Sequence, residues 1–469
     1  MIPMKLLCTL VLAGSALATP LRAATALVRA EHAPVPPSAA TARDADVLFE
    51  RARAAAAIIA ADPQWPDDLF SAEFLKAAPP AQLVEIGKSL FAKGGAVVSV
   101  DLAQAKGPYS ALFDVSLEKD VVLPMSVTIS EEAPNAIMGL WFNAPAPALK
   151  NLAEVVKKLA ALPGTVSFAV HALGGEKPVV LAELNPDAPL AIGSAFKLYV
   201  LGALAEDVTG GKRKLADVVN LEARWRSLPS GELHTWPIGA PVTLSSLANL
   251  MISNSDNTAT DHLLFALGRE RVEQMLVPMG NEHAAKSIPF LATNELFRLK
   301  HTRGGKGALE YLKLEEARKQ REFLAQEVAT WPLDEAHVEN GLLSRPQLVN
   351  ELEWFASAAD LCRAMDWLRK NTESGAAASV RDVLAIHDGL GVQSAAFPWV
   401  GFKGGSEPGV LNLTTLLKSA HGEWYALSAG WNDPANSVDD GKLVGLVRRA
   451  VVLLGKQLAE KPKTENALK

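Results

Sequence analysis

The amino-acid sequence predicts an α/β (α+β) sandwich, in which an antiparallel sheet has flanking helices and an all-helical region, preceded by a small α+β domain. The chain of 469 residues is longer than one ordinary core requires, so at least two units are expected. Pro145 and Pro147 interrupt regular structure and mark the boundary between them. Beyond that boundary, a helix and strands at the start are mirrored by strands and a helix at the end, and such terminal helices can cover one sheet.

Composition excludes several classes of function. Apolar residues make up 49% of the chain, charged residues 21%, and the formal net charge is -6, which is typical of a globular protein and not of a disordered or nucleic-acid-binding chain. The nine histidines lack the H-x-x-x-H and H-x-H spacings of metal sites. Neither a G-x-S-x-G elbow nor a Walker loop occurs. We therefore expect no metal, no cofactor and no nucleic-acid partner.

The first 23 residues are expected to form a cleaved signal peptide. Lys5 precedes an apolar run over residues 6–18, which ends in a small-x-small cleavage site. An uncleaved anchor is the alternative, although the run is shorter than the roughly 20 residues of a membrane span. No span is expected in the mature chain, which would be periplasmic or secreted and begin with a flexible linker over residues 24–45.

The small α+β domain is predicted over residues 46–143. Helical spacing of apolar residues comes first, and strand-like stretches follow at residues 96–100, 109–115 and 125–129. Three aromatic residues are interpreted either as core or as the lining of a pocket, with core expected: Trp65, Trp141 and Phe142.

The second domain is predicted over residues 149–460. It opens with an amphipathic helix over residues 149–162, and Cys362 lies on an apolar helical face that predicts a core thiol. Strands are predicted at residues 166–172, 178–184, 400–403, 411–418 and 424–430, before a final helix at 442–458.

Ser194, followed three residues later by Lys197, is the first candidate for chemistry. Residues 198–204 predict a buried helix, and positions three apart on a helix share one face. A desolvated lysine amine can accept the proton of a serine hydroxyl, which is otherwise a poor nucleophile. Ser116 and Lys119 have the same spacing but lie at a strand end among charges, so we interpret that pair as a solvated face.

Two later motifs fit the same kind of site. The sequence S-D-N at residues 255–257 stands between apolar helical stretches, where it is either a helix cap or part of a cleft. The sequence K-G-G-S at residues 403–406 ends a strand, and its glycines let a substrate approach a fixed positive charge. The similar K-G-G at residues 93–95 is interpreted as a turn.

In this order, S-x-x-K, S-D-N and a variant of K-T-G resemble the signature of class A β-lactamases and penicillin-binding proteins. The resemblance covers about residues 149–460 and implies a β-lactamase/transpeptidase-like fold. The layout is also similar to a branch of this superfamily, related to a protein of clavulanic-acid gene clusters, in which a small steroid-isomerase-like or cystatin-like domain precedes the hydrolase.

The resemblance implies a role for each matching residue. Ser194 would be the acylated nucleophile and Lys197 its general base. Ser255 would relay a proton to the leaving group, and Lys403 beside it would keep the cleft electropositive. The backbone amides of Ser194 and Ser406 would form the oxyanion hole.

Substrate contacts are implied as well, with two departures from the family pattern. Asn257 would hold the substrate amide, and Gly405 and Ser406 would line the strand edge. Gly404 replaces the family's hydroxyl residue, and Glu407 adds a negative charge. Both departures would weaken the binding of a β-lactam carboxylate, which favours a neutral ester or amide.

No carboxylate stands at the class A spacing for the deacylating base. Glu295 and Glu353 are the candidates, although structural roles are expected for both. Without such a base the acyl-enzyme would persist, as it does in penicillin-binding proteins. Residues 300–346, with a charged helical segment at 308–328, resemble an insertion that could cover or reshape the cleft.

The sequence thus predicts an exported, monomeric serine hydrolase that acts on a β-lactam, amide or ester carbonyl of a small-molecule or peptidoglycan-like substrate. A catalytically weak or silent penicillin-recognising binding protein and a D-alanyl peptidase or esterase are the alternatives. Labelling with a fluorescent penicillin or a fluorophosphonate separates an enzyme from a silent binding protein.

Overall fold

The computed structural model describes residues 39–119, 121–143, 146–333 and 345–460. The predicted signal peptide and the first part of the predicted linker, residues 24–38, lie outside these ranges. Within them, no helix combines the length and the hydropathy needed to cross a bilayer.

Three helices and an antiparallel sheet form the first unit. The helices are α1 (Ala39–Ala56), α2 (Ala72–Ala77) and α3 (Pro80–Gly94). The strands are β1 (Val97–Gly107), β2 (Ser110–Leu117), β3 (Val121–Ile129), β4 (Ile137–Phe142) and β5 (Ala146–Pro147). The sheet has the order β1-β2-β3-β4, with β5 also on β3. Alternate side chains of β2 and β3, among them Phe113 and Met125, are buried against helical residues such as Leu48.

Two boundaries of this unit differ from the predicted ones. Helix α1 begins at Ala39, inside the predicted linker, because the alanine content that suggested a linker also favours helix. Strand β5, the last two residues of the proline stretch that was expected to lack regular structure, pairs with Val121 and Val122. A two-residue edge strand tolerates Pro147, since its outer side needs no backbone donor.

The three aromatic residues singled out in this unit have different surroundings. Trp65 packs edge-to-face on Phe70, with ring centroids 5.7 Å apart, and Phe142 is half-buried against the same core. Trp141 is 51% exposed and therefore is not a core residue. It lies on β4 opposite Ser126, on the face of the sheet that the helices do not cover.

The two patterns that resemble catalytic motifs in this unit have other roles. Lys119 donates from Nζ to the carbonyl oxygen of Ala92 at 2.9 Å. Gly95, the last residue of the K-G-G stretch, has φ 79° and directly follows the end of α3 at Gly94. Neither lysine joins the site described below, in agreement with the interpretations as a solvated face and a turn.

A five-stranded antiparallel sheet forms the centre of the second unit, in the order β12-β13-β14-β6-β7. Its strands are β6 (Thr165–Leu173), β7 (Val179–Leu184), β12 (Trp399–Glu407), β13 (Val410–Lys418) and β14 (Trp424–Asn432). Short strands β8 (Leu190–Ala191) and β11 (Phe355–Ala356) pair with each other, as do β9 (Val218–Asn220) and β10 (Pro241–Thr243).

Helices cover both faces of this sheet. The first and last helices of the unit, α4 (Leu152–Ala160) and α14 (Asp440–Glu460), pack together on one face over a core that includes Val155, Phe168 and Val447. The other face meets the all-helical region, whose helices are α5 (Lys197–Thr209), α6 (Leu244–Ser253), α7 (Asn257–Leu267), α8 (Arg269–Leu276), α9 (Thr293–His301), α10 (Lys306–Leu312), α11 (Ala317–Gln326), α12 (Ala358–Asn371) and α13 (Ala378–Val383). The predicted sandwich is confirmed.

The charged helical segment predicted at residues 308–328 is broken into α10 and α11. Tyr311 and Leu324 are both buried in one core, yet on a continuous helix they would point about 140° apart. The break at residues 313–316 allows both side chains to pack inward. Cys362 is buried on α12, as predicted, and burial raises the pKa of its thiol.

Asp256 fixes the turn between α6 and α7, which holds the S-D-N motif. Its Oδ1 accepts from the amide of Ala259 at 2.8 Å, and its Oδ2 accepts from the amides of Glu232 and Leu233 at 2.7 and 2.9 Å. The side chain is fully buried, so no water can replace it. The turn and residues 232–233 therefore depend on one carboxylate.

Asp256→Ala should lower the free energy of unfolding by about 3 kcal/mol, because a helix cap is lost and three amides lose their acceptor. Urea denaturation measures this loss. The control is Asp439→Ala at an exposed carboxylate that caps α14 through the Lys442 amide, where about 1 kcal/mol is expected. Equal losses in the two variants would contradict the role given to Asp256.

Candidate active site

Ser194 lies in the turn Gly193–Phe196, which leads directly into α5. Gly193 has φ 47°, in the left-handed region that favours glycine. The Phe196 ring stacks on Trp354 with centroids 3.8 Å apart and anchors the turn. Ser194 is half-buried and lines a cavity. Among the contacts described for these residues, no hydrogen bond joins its hydroxyl to Lys197.

The Lys197 side chain is fully buried and its Nζ meets only uncharged oxygens. It lies 2.6 Å from the carbonyl oxygen of Ser255, 3.0 Å from Ser255 Oγ and 2.7 Å from Asn257 Oδ1. Burial lowers the pKa of Lys197 well below its ordinary value, and the nearby charge of Lys403 lowers this pKa further. An amine in this state has a lone pair that can accept a proton.

Ser255 connects the two lysines of the site. Its Oγ lies 3.0 Å from Lys197 Nζ and 3.1 Å from Lys403 Nζ. Its backbone has φ 53°, an uncommon value for serine, and its carbonyl oxygen accepts from Ser230 Oγ at 2.6 Å. Lys403 is buried in the middle of β12, which continues to Glu407 instead of ending at residue 403 as predicted, and burial lowers the pKa of Lys403 to about 7. The hydroxyl is thus placed to exchange protons with either amine.

Asn257 holds Lys197 and also faces the cavity. Its Oδ1 accepts from Lys197, and its Nδ2 donates to the carbonyl oxygen of Leu228 at 3.1 Å. Because an amide nitrogen has two hydrogens, the second remains for a substrate acceptor.

Strand β12 approaches the Ser194 turn so closely that only glycine fits. A Cβ on Gly405 would lie 2.2 Å from the carbonyl oxygen of Ile192 and 2.4 Å from the amide nitrogen of Ser194. A Cβ on Gly193 would lie 3.0 Å from the amide nitrogen of Ser406. The amide nitrogens of Ser194 and Ser406 are therefore neighbours, and both residues line the cavity.

Packing explains why glycine, and not a residue with a hydroxyl group, stands at position 404. A Cβ at this position would lie 2.9 Å from the Phe402 ring and 3.1 Å from the carbonyl oxygen of Asn412. A hydroxyl-bearing residue would therefore have to displace Phe402. The glycine variant of the motif follows from this packing.

Glu295, one of the two candidates for the deacylating base, lies away from the cavity. Both of its carboxylate oxygens bind Arg269, at 2.6 and 2.9 Å, and Oε2 also accepts from the amide of Ala292 at 2.8 Å. The carboxylate thereby caps α9 and ties it to α8. This geometry describes a structural ion pair.

Glu353, the other candidate, lines the cavity together with Ser194. Glu407 lines it as well, and Lys300 Nζ binds both carboxylates, lying 2.6 Å from Glu407 Oε1. Burial and the charge of Glu407 raise the pKa of Glu353 well above its ordinary value. Burial alone would raise the pKa of Glu407 as well. The positive charge of Lys300 outweighs this effect, and the pKa of Glu407 lies below its ordinary value.

Sequence reasoning missed Lys300 and treated Glu407 as an unpaired charge. The structure corrects this, since the ion pair with Lys300 offsets the negative charge of Glu407. The two residues are 107 positions apart, and no motif includes Lys300. The one available signal was Glu407 itself, because a carboxylate beside a buried strand requires a partner.

The cavity is open to solvent, and its empty space of about 270 Å³ includes that opening; its lining mixes polar with aromatic groups. It is lined by Gly193, Ser194, Phe196, Asn257, Thr293, Leu296, Phe297, Glu353, Trp354, Ser406 and Glu407. Thr293 is fixed by Asp261, which accepts from its amide and its hydroxyl at 2.8 Å, and burial raises the pKa of Asp261 to about 7. Across the described part of the chain, no group of His, Cys, Asp or Glu side chains is arranged to hold a metal ion.

Residues 147–330 match the model of a family described as the β-lactamase enzyme family, and this stretch includes the S-x-x-K and S-D-N motifs but not Lys403. The fold is similar to a β-lactamase from Sphaerobacter thermophilus DSM 20745, at 20% identity, over 65% of this chain and 94% of that one, with a TM-score of 0.45. It is also similar to a β-lactamase from Chitinophaga pinensis DSM 2588, at 17% identity, over 66% of this chain and 98% of that one, with a TM-score of 0.46. The structure of PBP-A is similar at 15% identity, over 66% of this chain and 95% of that one, with a TM-score of 0.45. No curated protein matches the sequence.

The lowered pKa of Lys403 predicts a pH dependence of stability. Between about pH 7 and its ordinary value of 10.5, the unfolded chain binds a proton at this lysine that the folded chain does not. Relative to Lys403→Met, the wild type should therefore gain free energy of unfolding as the pH rises through this range. Urea denaturation at several pH values measures the difference, with Lys313→Met at an exposed lysine as the control for lost charge. A pH-independent difference would contradict the buried, destabilised ammonium.

Proposed function

We propose that the protein is an exported serine hydrolase that attacks an amide or ester carbonyl, including that of a β-lactam, through an acyl-enzyme on Ser194. The observation that supports this best is the buried Lys197 amine, held by Ser255 and Asn257 one helical turn from the serine. Burying an amine among uncharged groups costs free energy, and such sites recur where proton transfer is needed.

Acylation would use the groups around Ser194 in sequence. Lys197 accepts the proton of the Ser194 hydroxyl as Oγ attacks the carbonyl carbon, and the neighbouring amides of Ser194 and Ser406 stabilise the oxyanion. Ser255, in contact with both lysines, passes a proton to the leaving group. Substrate entry closes the gap between the Ser194 hydroxyl and Lys197, as catalytic hydrogen bonds often tighten only in the complex.

The charge of the site allows an anionic as well as a neutral substrate. Lys403 contacts Ser255 in the site, and the carboxylate of Glu407 is paired with Lys300. The pairing removes the main objection to a β-lactam carboxylate. A β-lactam, a short-chain ester and a D-alanyl peptide are therefore all within the proposed class, and the N-terminal sequence supports action in the periplasm or outside the cell.

Ser194→Ala should abolish the covalent adduct that the wild type forms with penicillin G or a p-nitrophenyl ester, and should lower hydrolysis by about 10⁴-fold or more. Intact-protein mass spectrometry and peptide mapping detect the adduct. Ser116→Ala is a matched control, because Ser116 belongs to the second S-x-x-K spacing of the chain and should leave both readouts unchanged. A wild type that never labels would favour a silent binding protein.

Gly405→Ala should lower kcat by about 10²- to 10³-fold, because the added Cβ pushes the strand away from the Ser194 amide and widens the oxyanion hole. Steady-state kinetics with whichever probe the wild type hydrolyses measures the loss. Gly445→Ala is the control, since a Cβ on this α14 residue meets no atom within 4 Å and alanine favours helix. Full activity of Gly405→Ala would rule out the proposed oxyanion hole.

A further inference from the structure

Hydrolysis through an acyl-enzyme has a second half, in which water must attack the Ser194 ester. This inference rests on the proposed function and concerns that second half. A water molecule needs a polar position beside the ester carbon and a group that takes its proton. The cavity at Ser194 is the place to look, because Ser194, the oxyanion amides and Thr293 all border it.

Two carboxyl groups line this cavity. Glu353 is fully buried as a side chain, whereas Glu407 keeps 12% of its side chain exposed. Both contact Lys300, whose side chain is 1% exposed. Burial and the charge of Glu407 raise the pKa of Glu353, whereas the pKa of Glu407 is lowered against the effect of burial, chiefly by the charge of Lys300, so ionisation is favoured on Glu407.

The position of Glu407 in the chain is also informative. It directly follows Ser406, whose amide neighbours that of Ser194. A carboxylate on this residue lies at the border of the oxyanion hole and reaches the cavity from β12. Glu295 has no comparable access, because Arg269 binds both of its oxygens.

We propose that Glu407 is the group that binds and deprotonates the hydrolytic water, with Glu353 and Lys300 holding its carboxylate in place. Water oxygen attacks the ester carbon of acylated Ser194 while Glu407 accepts one water proton. The tetrahedral intermediate collapses with cleavage of the bond between carbon and Ser194 Oγ, and the proton that Glu407 took from water passes to Oγ. The acid product leaves, Glu407 is again a carboxylate and Lys197 an uncharged amine, so the enzyme is regenerated.

The charged groups around Glu407 set the expected pH dependence. Lys300 and His301 face it from α9, and Glu353 faces it from the segment before β11. Protonation of Glu407 at low pH should stop deacylation. A plot of the deacylation rate against pH should therefore have an acidic limb, in which the rate falls as the pH is lowered. Because Lys300 lowers the pKa of Glu407, Lys300→Gln should move that limb to higher pH.

The test measures the two half-reactions separately, with the full-length protein and penicillin G or a chromogenic cephalosporin. Rapid-quench mass spectrometry gives the rate at which the Ser194 adduct forms and the rate at which it disappears. Glu407→Gln should form the adduct at the wild-type rate and lose it about 10²- to 10⁴-fold more slowly. Glu407→Asp, which keeps a carboxylate, should recover part of the loss.

The control is Glu295→Gln, which removes a buried carboxylate outside the cavity and should leave the deacylation rate unchanged. Adduct loss at equal rates in the wild type and Glu407→Gln would overturn this inference and leave the proposed function intact. A wild type that never acylates Ser194 would instead contradict the proposed function. If Glu407→Gln does not fold, the Lys300→Gln profile decides, because a purely structural Lys300 would change the rate without moving the acidic limb.

Discussion

The site depends on one buried amine. Lys197 Nζ is held by three uncharged oxygens of Ser255 and Asn257, and Lys403 lies near enough to oppose its protonation. If the amine were exposed, or if a carboxylate contacted it, it would remain an ammonium and could not accept a proton from Ser194.

The architecture explains how distant segments meet around that amine. Helix α5 begins directly after Ser194, so Lys197 projects toward the turn between α6 and α7, which Asp256 fixes through three backbone amides. Strand β12 then closes the site from the sheet, and its approach requires glycine at positions 193 and 405. The sheet, the helical region and the turn thus each supply one side of a single cavity.

Much of this could be predicted from sequence, because the signals are local. Helix and strand periodicity predicted the sandwich, and the three motifs predicted Ser194, Lys197, Ser255 and Lys403 as site residues. The structure places both lysines on the Ser255 hydroxyl, and Ser194 lines the cavity that Asn257 also borders. The carboxylate side of the cavity could not be predicted in the same way. Lys300 meets Glu353 and Glu407 only through tertiary packing, and no spacing rule links an α9 lysine to residues 53 and 107 positions later. The start of α1 was missed for a different reason, since an alanine-rich segment suits a linker and a helix equally well.

The most direct test of the account is the titration of the Lys197 amine itself. Selective ¹³C labelling of lysine side chains, with the Lys197 signal assigned by its loss in Lys197→Met, follows the protonation of this group by NMR as the pH is changed. The account predicts a midpoint far below 10.5, the ordinary value for a lysine side chain, with the Lys197 amine uncharged well below that pH. A Lys197 signal that titrates near that ordinary value would contradict it.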